Sequence, residues 1–120
     1  PELARRISFS ESQKERIRFA CASILEPLRN HFSLPVYITS GKRTKDLNKA
    51  VGGHPESDHL FGADTGAVDI AIRRVTPVSV ANWLVNNVVT KLVVAYAREG
   101  FVHISFPDSS GIVNRLRIKS

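Results

Sequence analysis

Two histidines and a carboxylate stand in three short, separated segments, Ser57-Asp58-His59-Leu60-Phe61-Gly62, Gly66-Ala67-Val68-Asp69-Ile70 and Phe101-Val102-His103-Ile104-Ser105-Phe106. Catalytic zinc sites commonly use three protein nitrogen or oxygen ligands and keep a fourth position for water, and two His with one acid is such a set. His59, Asp69 and His103 are therefore read as the ligands of a catalytic zinc ion. Any one of them alone is more often a surface or hydrogen-bonded residue, so the combination carries the reading.

A metal site needs rigid elements beneath it. His103 lies in an apolar run with strand character, where alternation sets Phe101, His103 and Ser105 on one face and Val102, Ile104 and Phe106 on the other. Asp69 sits within Ala67-Val68-Asp69-Ile70-Ala71-Ile72, a short apolar strand in which a lone carboxylate is costly to bury without a partner. A metal ion or an arginine would each serve as that partner.

Around these strands, Ser10 or Ser12 can cap a helix running to about Asn30, with Ile17, Ala20, Cys21, Ile24, Leu25 and Leu28 recurring on one side. Pro27 falls inside that pattern and is expected to bend or divide the helix, because it removes an intrahelical hydrogen bond. Leu34 to Thr39 reads as a strand entering the turn Ser40-Gly41-Lys42-Arg43, and Thr44 can cap a short helix through about Val51. The loop-like run Gly52 to Ser57 delivers the chain to His59. Thr76 followed by Pro77 marks another helix start, and that helix ends near Asn86 or Asn87. Leu92 to Tyr96 and Phe101 to Phe106 are two strands separated by a break at Arg98-Glu99-Gly100, and Arg115 to Ile118 adds an edge strand. Helices first and strands later predict an α+β fold, with a small, largely antiparallel sheet and flanking helices.

The 120 residues are expected to form one domain, spanning 1–120, with a modest core. No apolar run is long enough for a membrane span, and Pro1-Glu2-Leu3-Ala4-Arg5-Arg6 lacks the hydrophobic segment of a secretory signal, so signal-directed export is not expected from this stretch. The single cysteine, Cys21, cannot form an internal disulfide and is expected in the core. A net charge of +6 favours an anionic partner such as nucleic acid, an acidic membrane or a bacterial wall. No nucleic-acid motif is present and the few aromatics do not interleave with the basic residues, so a nucleic-acid partner, which charge alone suggests, is not expected. An ordinary solvated basic surface accounts for Arg115, Arg117 and Lys119, and for Lys14, Arg16 and Arg18.

The ordered set Leu25-Glu26-Pro27-Leu28-Arg29, Ile38-Thr39-Ser40-Gly41-Lys42-Arg43-Thr44, Leu47-Asn48, Val51-Gly52-Gly53, Ser57-Asp58-His59, Gly66-Ala67-Val68-Asp69-Ile70 and Phe101-Val102-His103-Ile104-Ser105 resembles the zinc D-alanyl-D-alanine peptidases, carboxypeptidases and endopeptidases, particularly their short phage-type members. The resemblance implies a hedgehog/DD-peptidase-like fold, a Zn2+ cofactor and cleavage of peptidoglycan stem peptides next to D-alanine, by a phage-encoded protein acting on the bacterial wall from the virion or the host cytoplasm or periplasm. It implies that Arg43 binds substrate or stabilises the oxyanion, that Ser57 contacts substrate, that Asn48 orders its loop, and that an acid near the last histidine relays the proton. Gly100 stands where the family usually places that acid, which makes Glu99 the candidate base. The run between His59 and Asp69 is longer than usual, so Asp64 competes for the ligand role, although Asp69 matches the motif and sits on a strand. The displaced acid and the long run also leave a second expectation, a catalytically degenerate wall-binding or virion structural module of the same fold.

Overall fold

A computed structural model describes residues 9–40 and 66–120. Ser10 opens helix α1 (Glu11–Ala20) with a capping box: its hydroxyl accepts from the Gln13 backbone N–H and the Gln13 side chain accepts from the Ser10 N–H. The chain continues through a π-helical turn (Cys21–Leu25) into α2 (Glu26–Phe32) and ends at Ser33 in the left-handed region. In the π turn the Glu26 N–H donates to the Cys21 carbonyl, five residues back. This widening immediately precedes Pro27, which has no N–H to offer and whose ring needs room in the preceding turn. The expected division of the helix at Pro27 thus takes the form of a local change of register. Cys21 is half-buried and packs against the core.

The sheet contains β1 (Tyr37–Ser40), β2 (Ala67–Ala71), β3 (Leu92–Tyr96), β4 (Phe101–Ser105) and β5 (Arg115–Lys119), in the order β1-β2-β4-β3-β5. The first three pairings across that order are antiparallel, and β5 runs parallel to β3. Helix α3 (Pro77–Asn87) connects β2 to β3, with Thr76 as its cap accepting from the Ser79 N–H at 3.2 Å and Pro77 in its first turn. The mixed α+β architecture and the mainly antiparallel sheet are as the sequence predicts.

Period-two alternation assigns the two faces of the sheet. Val68, Ile70, Val93, Ala95, Val102 and Ile104 join Phe106 in one core with Ala20, Ile24, Leu25 and Leu28 from the first helical segment and Val80, Ala81 and Leu84 from α3. Burying each Val, Leu, Ile or Phe side chain of this set stabilises by about 1.5–3 kcal/mol. The opposite face carries Ala67 and Asp69 of β2, Phe101, His103 and Ser105 of β4, and Leu92, Val94 and Tyr96 of β3. The helices therefore cover one face and the polar residues lie on the other. Among the described residues, no helix is long and apolar enough to cross a membrane.

Polar contacts tie the parallel edge strand to the sheet. Asn114, at φ 50, accepts from the Thr90 N–H at 2.7 Å and the Thr90 hydroxyl at 3.1 Å, and its own N–H donates to the Thr90 carbonyl at 2.8 Å. Nearby, Lys91 Nζ lies 2.8 Å from Asp108 Oδ2, and the Ser110 N–H donates to Asp108 Oδ1. Burial of the Asp108 side chain opposes ionisation, but the Lys91 and Ser110 hydrogen bonds outweigh it and hold the carboxyl at a pKa of about 2. A carboxyl depressed below its ordinary 3.8 contributes stability above that pH and surrenders it as the pH falls toward about 2. Asp108→Asn is expected to lower stability at neutral pH and to flatten the loss of stability across that acid window, as read from urea midpoints at successive pH values.

Candidate metal centre

β4 is the middle strand, and its central residue His103 lies directly opposite Asp69 of β2. Side chains at such a cross-strand pair on one face come within reach of each other. His103 Nδ1 stands 3.0 Å from Asp69 Oδ1, and His103 Nε2 stands 2.7 Å from Ser105 Oγ. Asp69 is 7% exposed and Ser105 is fully buried, so the pair sits in a largely water-poor part of the sheet. The partner that a carboxylate on this apolar strand requires is thus at least in part the imidazole of His103.

Both imidazole nitrogens are engaged, which constrains where positive charge can sit. If Ser105 Oγ accepts a hydrogen bond from Nε2–H, the neutral ring turns its Nδ1 lone pair toward a carboxylate oxygen. Two acceptors at 3.0 Å repel unless a proton or a cation lies between them. A tetrahedral zinc bonded at about 2.0–2.2 Å to nitrogen and oxygen holds two such donor atoms roughly 3.4 Å apart, so the 3.0 Å contact is that of a hydrogen bond, and a small opening of the pair would admit an ion between them. Ser105, fixed on the ring's other nitrogen, is the kind of outer partner that sets the tautomer of a metal-binding histidine. Asp69 and His103 therefore fit the group in donor chemistry and in their shared place on one face of the sheet. Ser105 has no role in the reading of the sequence, although its position two residues after His103 on the same strand face was available as a signal.

The remaining candidates divide in two. Arg43, Ser57, His59 and the competing ligand Asp64 lie outside the described residues, as do Asn48 and the short helix expected after Thr44. Ser40, the last residue of β1, has its Cα opposite Asp69 across a register shift. Among the described residues, no group of three or more His, Cys, Asp or Glu side chains is placed to hold a metal, so Asp69 and His103 stand there as a pair.

Glu99 is described, and it lies in the exposed loop Ala97 to Gly100 between β3 and β4 rather than on a regular strand. The loop is closed by the Gly100 N–H donating to the Tyr96 carbonyl at 2.9 Å, with Gly100 at φ 84. Tyr96 and Phe101 flank it as a stacked cross-strand pair, with ring centroids 4.4 Å apart. His103 follows two residues beyond Phe101 on the same face, and Glu99 stands four residues before His103 in the loop that closes the hairpin.

A protein-family model described as Peptidase M15 matches residues 2–105. No curated protein and no solved structure gives a significant match. The matched span contains Asp69 and His103 and ends with the last residue of β4, leaving β5 beyond it. Because the match takes in most of the chain, the protein belongs to the Peptidase M15 family, whose members are generally zinc-dependent peptidases.

Proposed function

We propose that the protein is a zinc-dependent peptidase that cleaves stem-peptide bonds of bacterial peptidoglycan next to D-alanine, as a carboxypeptidase or as an endolysin-type endopeptidase of phage origin. The observation that carries this reading is the 3.0 Å approach of His103 Nδ1 to Asp69 Oδ1 on neighbouring strands, in a chain of the Peptidase M15 family. His59, Asp69 and His103 hold the ion in this scheme, and the partner is the peptide of the wall rather than nucleic acid. When bound, zinc supplies a water of near-neutral pKa and polarises the scissile carbonyl.

The chain's own residues do the rest. Ser105 fixes the imidazole of His103 through Nε2, and the strand pairing of β2 with β4 keeps the two ligands in register. Glu99 accepts the proton of the attacking water and returns it to the leaving amine, a role that requires a carboxylate within hydrogen-bond reach in the substrate complex. Arg43 binds the substrate carboxylate or the developing oxyanion, and Ser57 contacts substrate. Incubation of purified peptidoglycan with zinc-loaded protein should release stem-peptide fragments or free D-alanine, identified by mass spectrometry, and chelation should abolish them. Products that persist unchanged after complete metal removal would exclude the zinc mechanism.

The exposed position of Glu99 favours a second reading, in which the fold binds wall peptide with little or no hydrolysis. Sedimentation of the protein with purified walls, without release of new amino termini, is its signature.

A further inference from the structure

Beyond the family match, residues 115–119 add a strand whose pairing places three cations on the face that bears the candidate metal ligands. β5 runs parallel to β3 with Arg115 opposite Leu92, Arg117 opposite Val94 and Lys119 opposite Tyr96. Val94 is in turn opposite His103, and His103 is opposite Asp69. Asp69, His103, Val94 and Arg117 therefore form one row across four adjacent strands. Lys119 confirms the side, since its Nζ sits over the Tyr96 ring at 5.3 Å and that ring stacks on Phe101.

The alternate residues, Leu116 and Ile118, fall on the opposite face, so the basic side chains are segregated rather than scattered. All five residues of β5 are exposed, and among the described residues neither Arg115 nor Arg117 pairs with an acid. Among the described acids, Asp108 is held by Lys91 and Asp69 faces His103, while Glu99 stands in the exposed loop beyond Tyr96. A guanidinium row with no counter-charge among the described residues, on the face that carries the candidate ligands, is available to an anion brought by a ligand.

We infer that Arg115 and Arg117 form a specificity subsite that binds a carboxylate of the peptide substrate about three residues from the scissile bond. The separation follows from the sheet. Two strand spacings of about 4.8 Å set β5 roughly 10 Å from β4, and an extended peptide rises about 3.3 Å per residue. The inference rests on the peptidase reading for the location of the scissile bond, and on the sheet register for the location of the charge. It assigns the enzyme a preference for anionic peptides over neutral ones of the same length.

The test compares Ac-Glu-Ala-Ala-D-Ala-D-Ala with its glutamine analogue, measuring both binding by calorimetry and cleavage by mass spectrometry on zinc-loaded protein at about 0.15 M salt. The wild type should bind the glutamate peptide roughly three- to tenfold more tightly, within the range of exposed charge-assisted contacts. That ratio should fall to about one in the Arg115→Gln/Arg117→Gln double variant and persist in Arg115→Lys/Arg117→Lys, which keeps the charge. Equal binding of the two peptides by the wild type, or an undiminished preference in the glutamine variant, would overturn the subsite. Failure to cleave either peptide, with the acid preference and its loss both seen in binding, would remove the carboxypeptidase form of the peptidase reading and leave the anion subsite standing.

Discussion

His103→Ala is expected to lose zinc retention and hydrolysis together, with activity falling to background. The imidazole provides one of the two donors that stand on facing strands, and its removal leaves Asp69 without the ring 3.0 Å away. The core is spared, because Val102, Ile104 and Phe106 point to the helical side of the same strand. The stability cost should accordingly stay at about 1–3 kcal/mol, that of a lost buried polar contact, and circular dichroism should show a folded protein. Ser105→Ala is the graded companion. It keeps both donors but frees Nε2 from its 2.7 Å hydroxyl, and loss of such an outer partner weakens metal binding by about 10–100-fold. Competition against a chromophoric chelator measures both variants on one scale. Full activity in His103→Ala, or an affinity in Ser105→Ala equal to that of wild type, would remove this pair from the metal site.

The order of those effects reflects what local pattern can and cannot specify. Alternation along Phe101 to Phe106 assigns the faces of β4 because a strand has a fixed period of two, and the structure has Val102, Ile104 and Phe106 in the core. Thr76 with Pro77 marks the start of α3 because a cap is chemistry between neighbours. Pro27 signals a disturbed helix, but the form of the disturbance, a five-residue hydrogen-bond register just before it, depends on how the whole segment packs. Long-range register is different again. Nothing local states that Asp69 is opposite His103, or that Arg117 falls in the same row two strands further on, since those pairings join residues distant in sequence. The parallel direction of β5 is likewise set at a distance, by Asn114 clasping Thr90. The charged alternation of Arg115, Arg117 and Lys119 is plain in the sequence as one wet face, but which face of which sheet it joins is a tertiary fact.

Glu99→Gln should separate the two readings of this protein. A carboxylate that moves the proton of the attacking water contributes about 10²–10⁴-fold, and the amide keeps its size while losing its basicity. If Glu99 is the base, kcat falls by that factor while zinc affinity and KM stay near their wild-type values, because the ligands on β2 and β4 are untouched. The loop geometry disfavours a carboxylate-bearing residue at position 100. Gly100 adopts φ 84 to let its N–H reach the Tyr96 carbonyl, a conformation that is strained for a residue with a Cβ. In this hairpin the described carboxylate is that of Glu99, one residue further from His103. Glu99 is exposed in the free protein, and catalytic hydrogen bonds often tighten only in the substrate complex. A wild-type rate in Glu99→Gln would place the base elsewhere in the chain, and a zinc-loaded wild-type protein that binds wall peptide yet releases no amino termini would establish the non-hydrolytic reading.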